Sequence, residues 1–126
     1  MVDALTRLHA ALVPGGVLVD TQPVGLRLPV ALDGEPVGEL EDDAWIKMVA
    51  AVDAEIDKAL GSGLFELRHE ERYVVVHEFG SGADCLEVVG DWAGTTVPAE
   101  VAARLERGEG RATVEQETRL RLLDRR

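Results

Sequence analysis

Asp20 and Gln22 follow a short apolar run, Val17-Leu18-Val19, and precede Pro23. Polar side chains just beyond the carboxyl end of a strand stand where open α/β sheets receive ligands, although a capped turn before the proline is the plainer role. Trp45 is the third substrate-side candidate. It opens an apolar helical stripe, which equally suits core packing. His69 and His77, with Glu70, Glu71 and Glu78, invite a metal. They lack a His-Glu-x-x-His pairing, however, and a metal needs three or four convergent ligands, so a salt-bridged surface is expected and no metal is assigned. Cys85 has no adjacent basic group to lower its pKa, and it reads as a buried, inert thiol. Glu115, Glu117, Arg119 and Arg121 fall on alternate positions and read as a solvated, charged strand face. No residue set qualifies as catalytic.

The chain carrying these groups has 126 residues, 46% of them hydrophobic and 29% charged, which predicts one folded domain over 1–126. Its formal charge of −11 repels phosphate backbones and anionic lipid, so neither nucleic acid nor a membrane surface is an expected partner. No apolar run approaches the ~18 residues of a membrane span. The acidic start at Met1–Asp3 and the interrupting Arg7 and His9 do not resemble a secretory signal. A single cysteine excludes an internal disulfide and predicts a reducing, cytoplasmic setting.

The elements that must position these groups follow from periodicity. Leu5, Leu8, His9 and Leu12 predict an amphipathic helix over 3–12, ended by Pro14-Gly15-Gly16. Val17-Leu18-Val19 then reads as a strand covered on both faces, in a parallel sheet. Alternation over 26–40 around Asp33-Gly34 predicts a hairpin, which Pro29 and Pro36 confine to an edge or an excursion. Trp45, Val49, Val52, Ile56 and Leu60 predict a helix over 43–60, capped by Asp42 or Asp43 and stopped at Gly61. Its opposite face, including Asp53, reads as solvated. Residues 64–79 make either one long bent strand or a loose hairpin. Short helices are predicted from Asp84 and from Pro98 to Gly108. In 112–122, Ala112, Val114, Gln116, Thr118, Leu120 and Leu122 face one way, as in a half-buried antiparallel strand.

This order, and above all Leu8 through Val19 (LHAALVPGGVLV), resembles the C-terminal half of a class I S-adenosylmethionine-dependent methyltransferase. The resemblance implies an α/β (or α+β) fold: an incomplete three-layer arrangement with a small mixed sheet, packed helices and a terminal antiparallel strand. It makes 17–19 the family's fifth strand, 43–60 the crossover helix, 64–79 the sixth strand, and 112–123 the seventh, inserted beside the fifth. The glycine-rich loop that holds S-adenosylmethionine in that family has no counterpart here, because Gly61-Ser62-Gly63 and Gly80-Ser81-Gly82 follow the wrong elements. Those parts would precede Met1. The expectation is therefore a methyltransferase-like module that binds no cofactor and is inactive alone, either part of a larger enzyme or a degenerate paralogue. The alternative is an unrelated small α+β binding or interaction protein. The resemblance further implies that the fifth strand lacks the fourth as its partner, which would leave Val17-Leu18-Val19 with an apolar edge unpaired, so self-association as a homodimer, or coverage of that edge by the 26–40 ribbon, is expected; the alternative protein is expected to self-associate as well. Burying those three side chains would contribute roughly 5 kcal/mol, and Val19→Asp would then abolish folding or assembly.

Overall fold

The structure, a computed structural model, describes residues 2–126, so Met1 at the acidic start lies outside it. The fold is α+β, four helices around one open five-stranded sheet, in the order α1 (Val2–Ala11), β1 (Val17–Pro23), β2 (Arg27–Leu32), β3 (Glu35–Glu41), α2 (Asp43–Gly61), β4 (Phe65–Phe79), α3 (Gly82–Val89), α4 (Ala99–Arg107) and β5 (Ala112–Arg125). Every strand pairing is antiparallel, which replaces the mixed sheet expected from the sequence.

The sheet is organised by β5. Along one edge it pairs with β4 over its full length, from Phe79↔Ala112 to Phe65↔Arg125. Phe65–Phe79 is thus one strand, with a register irregularity between Leu67 and His69 where the polar segment begins. Along its other edge β5 holds two partners end to end: β1 against Thr118–Asp124 and β2 against Ala112–Val114. The chain steps between them at Val24 and Gly25, whose amides both donate to the Glu117 carbonyl. The β2–β3 hairpin turns at Asp33 and Gly34, both with positive φ, and β3 forms the sheet's outer edge. The ribbon therefore continues the line of β1 and does not cover it.

Two helix pairs cover opposite faces at opposite ends of β5. Ala112 and Val114 point into a core with Leu28, Val30 and Leu40 from the hairpin and Cys85, Val89, Val101 and Leu105 from α3 and α4. At the other end Leu123 points into a second core with Leu5 of α1, Ile56 and Ala59 of α2, and Phe65. Successive strand residues alternate faces, so this change from even to odd buried positions means that the covered face changes at mid-strand. That corrects the expected single inward face. It also corrects the reading of β1: Leu18 packs against the second core, but Val19 is 57% exposed because no helix covers its face.

Local signals explain the boundaries. The Leu64 amide donates to the Ala59 carbonyl and the Gly63 amide to that of Leu60, a Schellman ending, with Gly63 at φ 82. The stop thus lies two residues beyond the expected Gly61. Ser81 caps α3 by accepting from the Asp84 amide, and Pro98 and Gly108 bracket α4. Cys85 is fully buried in α3, and burial pushes its thiol up to about 11. Native protein at pH 8 should leave Ellman's reagent unreacted, with one thiol appearing only in denaturant. Rapid native labelling would show that α3 opens readily.

Candidate functional site

Two polar groupings sit where β1, α2 and β5 meet. The first is an ion cluster. Arg119 donates through Nη1 and Nη2 to the two carboxylate oxygens of Asp53, at 3.1 and 2.6 Å. Arg121 donates through Nε and Nη2 to Asp20 Oδ2, at 3.1 and 2.9 Å, and through Nη2 to Asp53 at 2.9 Å. Gln22 closes the other side by donating to Asp20 Oδ1 at 3.2 Å. Strand register produces this arrangement: Asp20 lies opposite Arg121 and Gln22 opposite Arg119, so all four share the face that α2 covers.

Both guanidiniums are almost fully enclosed, with side chains 10% and 6% exposed. The hydrogen bonds that Arg119 donates to Asp53 chiefly hold its pKa above the ordinary value, against the opposing effect of burial. Arg119 and Arg121 are therefore not part of a solvated face, and Asp53 does not lie on a free helix surface. Glu115 and Glu117 are exposed as expected, and Glu117 pairs with Arg72 at 3.2 Å. Two cations against two aspartates leave the cluster internally neutral, with Glu70 a more distant carboxylate at 3.9 Å from Arg119 Nε. It offers a ligand no free charge. Its effect is to fasten α2 across β1 and β5.

The second grouping is a cavity of about 190 Å³ lined by Pro23, Asp42, Trp45, Trp92, Ala93, Thr95 and Gln116. Pro23 ends β1, Asp42 and Trp45 begin α2, and the other walls come from β5 and the α3–α4 connection. That connection is stitched to the end of β3 by paired amide–carbonyl bonds between Glu41 and Thr96. Gly94, at φ 76, brings it so close that a Cβ there would lie 2.7 Å from the Trp45 amide nitrogen.

Asp42 occupies the N-cap position of α2, yet its side chain makes no cap bond. Its Oδ1 instead accepts from the Thr95 hydroxyl. Asp42 as a residue is 1% exposed, and burial raises its pKa above the usual range, opposed by the Thr95 hydrogen bond. The Nε1 of Trp45 is buried without a hydrogen-bond partner. His77 donates through Nε2 to Gln116 Oε1 at 3.0 Å and packs edge-on to Trp92, with ring centroids 5.0 Å apart.

Of the three sequence candidates, Trp45 lines the cavity, whereas Asp20 and Gln22 belong to the neighbouring ion cluster. His69 lies near Glu71, at 3.4 Å, eight positions along β4 from His77, and the two are not brought together. Among the described residues no three His, Cys, Asp or Glu side chains are grouped to hold a metal. Sequence reasoning missed Asp53, Thr95, Gln116, Arg119 and Arg121. One signal was present: Asp53 follows Val49 by four and precedes Ile56 by three, inside the apolar stripe. Among the described residues no helix is long and apolar enough to cross a membrane. Comparison of the chain with protein-family models, with curated proteins and with solved structures returns no match.

Proposed function

We propose that this chain is a methyltransferase-like module that supplies a ligand-facing wall, the cavity between Trp45 and Trp92, and no donor-binding loop of its own. The observation that supports this reading most directly is the strand arrangement. β5 lies between β1 and β4, antiparallel to both, while α2 lies between those strands in the chain. The resemblance implies a seventh strand antiparallel beside the fifth and a crossover helix between the fifth and sixth in the chain, and β5, β1 and α2 stand in that relation. The cavity stands at the carboxyl end of β1, the position at which open α/β sheets take ligands. Its one thiol suits a reducing, cytoplasmic setting, and its charge of −11 disfavours nucleic acid. Titration calorimetry with S-adenosylmethionine should give no heat of binding and no methyl transfer by the isolated chain. Micromolar binding would overturn the reading.

A second reading, a self-associating α+β binding protein, is favoured by one observation. Among the described residues β1 pairs only with β5, and Val19 beside its open edge is 57% exposed. A two-fold homodimer through Val17–Val19 would satisfy that edge. Because Val19 is already exposed, Val19→Asp should leave the fold intact, with a change in unfolding free energy below about 1 kcal/mol. The dimer should nevertheless be lost in sedimentation equilibrium. A wild-type chain that stays monomeric at high protein concentration removes this reading.

A further inference from the structure

We infer that the cavity between Trp45 and Trp92 binds a small organic ammonium ion bearing at least one N–H and an apolar body about the size of a benzene ring. The inference rests on the reading of this cavity as a ligand-facing wall, and is independent of any methyl donor.

Charge comes first. Asp42 is 1% exposed and enters no ion pair among the described residues, and its one hydrogen-bond donor there is the Thr95 hydroxyl, on Oδ1. No lysine, arginine or histidine lines the cavity. A buried carboxylate is ordinarily paired, as Asp20 and Asp53 are a short distance away. The adjacent acid Asp43 raises the Asp42 pKa further and is itself engaged with Arg27 at 3.2 Å. An ammonium N–H reaching Oδ2 would supply both the missing charge and the missing donor, as a charge-assisted hydrogen bond.

The walls give the remaining chemistry. Two indoles, Pro23 and Ala93 are apolar or aromatic, and a cation beside a tryptophan face is further stabilised by the ring quadrupole. An engineered cavity of roughly 150 Å³ accepts benzene, so about 190 Å³ accommodates a ring carrying an aminomethyl group. The formal charge of −11 raises the local concentration of cations and lowers that of anions.

The test follows tryptophan fluorescence during titration with three ring probes of similar size: benzylamine at pH 7, benzyl alcohol and benzoate. Benzylammonium should bind about tenfold or more tightly than benzyl alcohol, and benzoate should not bind. Asp42→Asn retains an acceptor for Thr95 and removes the charge, so it should abolish the preference for the amine over the alcohol. Equal affinity for amine and alcohol, no binding of the amine, or a preference unchanged in Asp42→Asn would each overturn the inference. If that variant does not fold, the comparison of probes on the unaltered chain decides. Titration with S-adenosylmethionine is a separate measurement, so failure of the module reading is distinguishable from failure of this one.

Discussion

Asp53→Ala should lower the unfolding free energy by about 3 kcal/mol, read as a fall in the urea midpoint at unchanged slope. Asp53 is the carboxylate that both guanidiniums share, with contacts of 2.6 Å to Arg119 and 2.9 Å to Arg121. Arg121 would keep Asp20, but Arg119 would be left with carboxylates only at 4.0 Å (Asp20) and 3.9 Å (Glu70). Removing one partner of a buried pair typically costs about 3–5 kcal/mol, because the remaining charge has been stripped of water. The Asp53 side chain is 25% exposed, so solvent relieves part of that cost and the lower end applies. Against a typical domain stability of about 5–15 kcal/mol the loss is severe. The companion variant Asp53→Leu/Arg119→Met removes both charges and should recover much of the loss. A change below about 1 kcal/mol in Asp53→Ala would show the cluster to be a solvent-screened surface pairing.

Gly82→Ala is expected to cost about as much by a different route. Gly82 begins α3 and is buried where α3 crosses α4. A Cβ there would overlap the Leu105 carbonyl oxygen and lie 3.0 Å from its carbonyl carbon. These are backbone atoms and cannot rotate aside, so the two helices must separate. Cys85, Val89 and Leu105 would lose contact with the sheet. Overpacking of this kind typically costs about 1–3 kcal/mol, and a rigid neighbour places this site at the upper end. Gly61→Ala is the control: nothing lies within 4 Å of its Cβ position, so it should be neutral or stabilising by up to about 1 kcal/mol. Equal stabilities for the two variants would mean that the α3–α4 contact is loose. Cys85 provides an independent readout, since separation of the helices exposes its thiol.

Periodicity carried most of the elements. The stripe from Trp45 to Leu60, the Asp33-Gly34 turn, Pro98 and Gly108 each act through local backbone preference, and each lies at or within an observed element. The assignment of faces was not legible. Ala112 through Leu122 alternates without interruption, and alternation cannot tell which face is covered at which end of a 14-residue strand. Because α1 and α2 cover one face and α3 and α4 the other, Arg119 and Arg121 are enclosed while Leu120 and Leu122 on the opposite face meet no helix core. The same cause overturned the reading of Val19. Within the candidate site, Trp45 was accessible because it stands at a strand-to-helix entry. Thr95 and Gln116 were not, since only tertiary folding brings the α3–α4 connection and β5 beside Asp42. Asp42 itself read as a helix cap, and its carboxylate turns to Thr95 instead.

The central strand is also the last one in the chain. β1, β2 and β4 all wait for β5, and the Asp20–Arg121 contact joins positions 101 apart. Such long loops must close before the pairings of β5 compensate the lost chain entropy, so refolding of this domain should be slow, in about milliseconds to seconds. During synthesis, the segments before Ala112 would remain without their common template until β5 had left the ribosome, and until then the apolar faces of the early hairpin and helices would be open to chaperones.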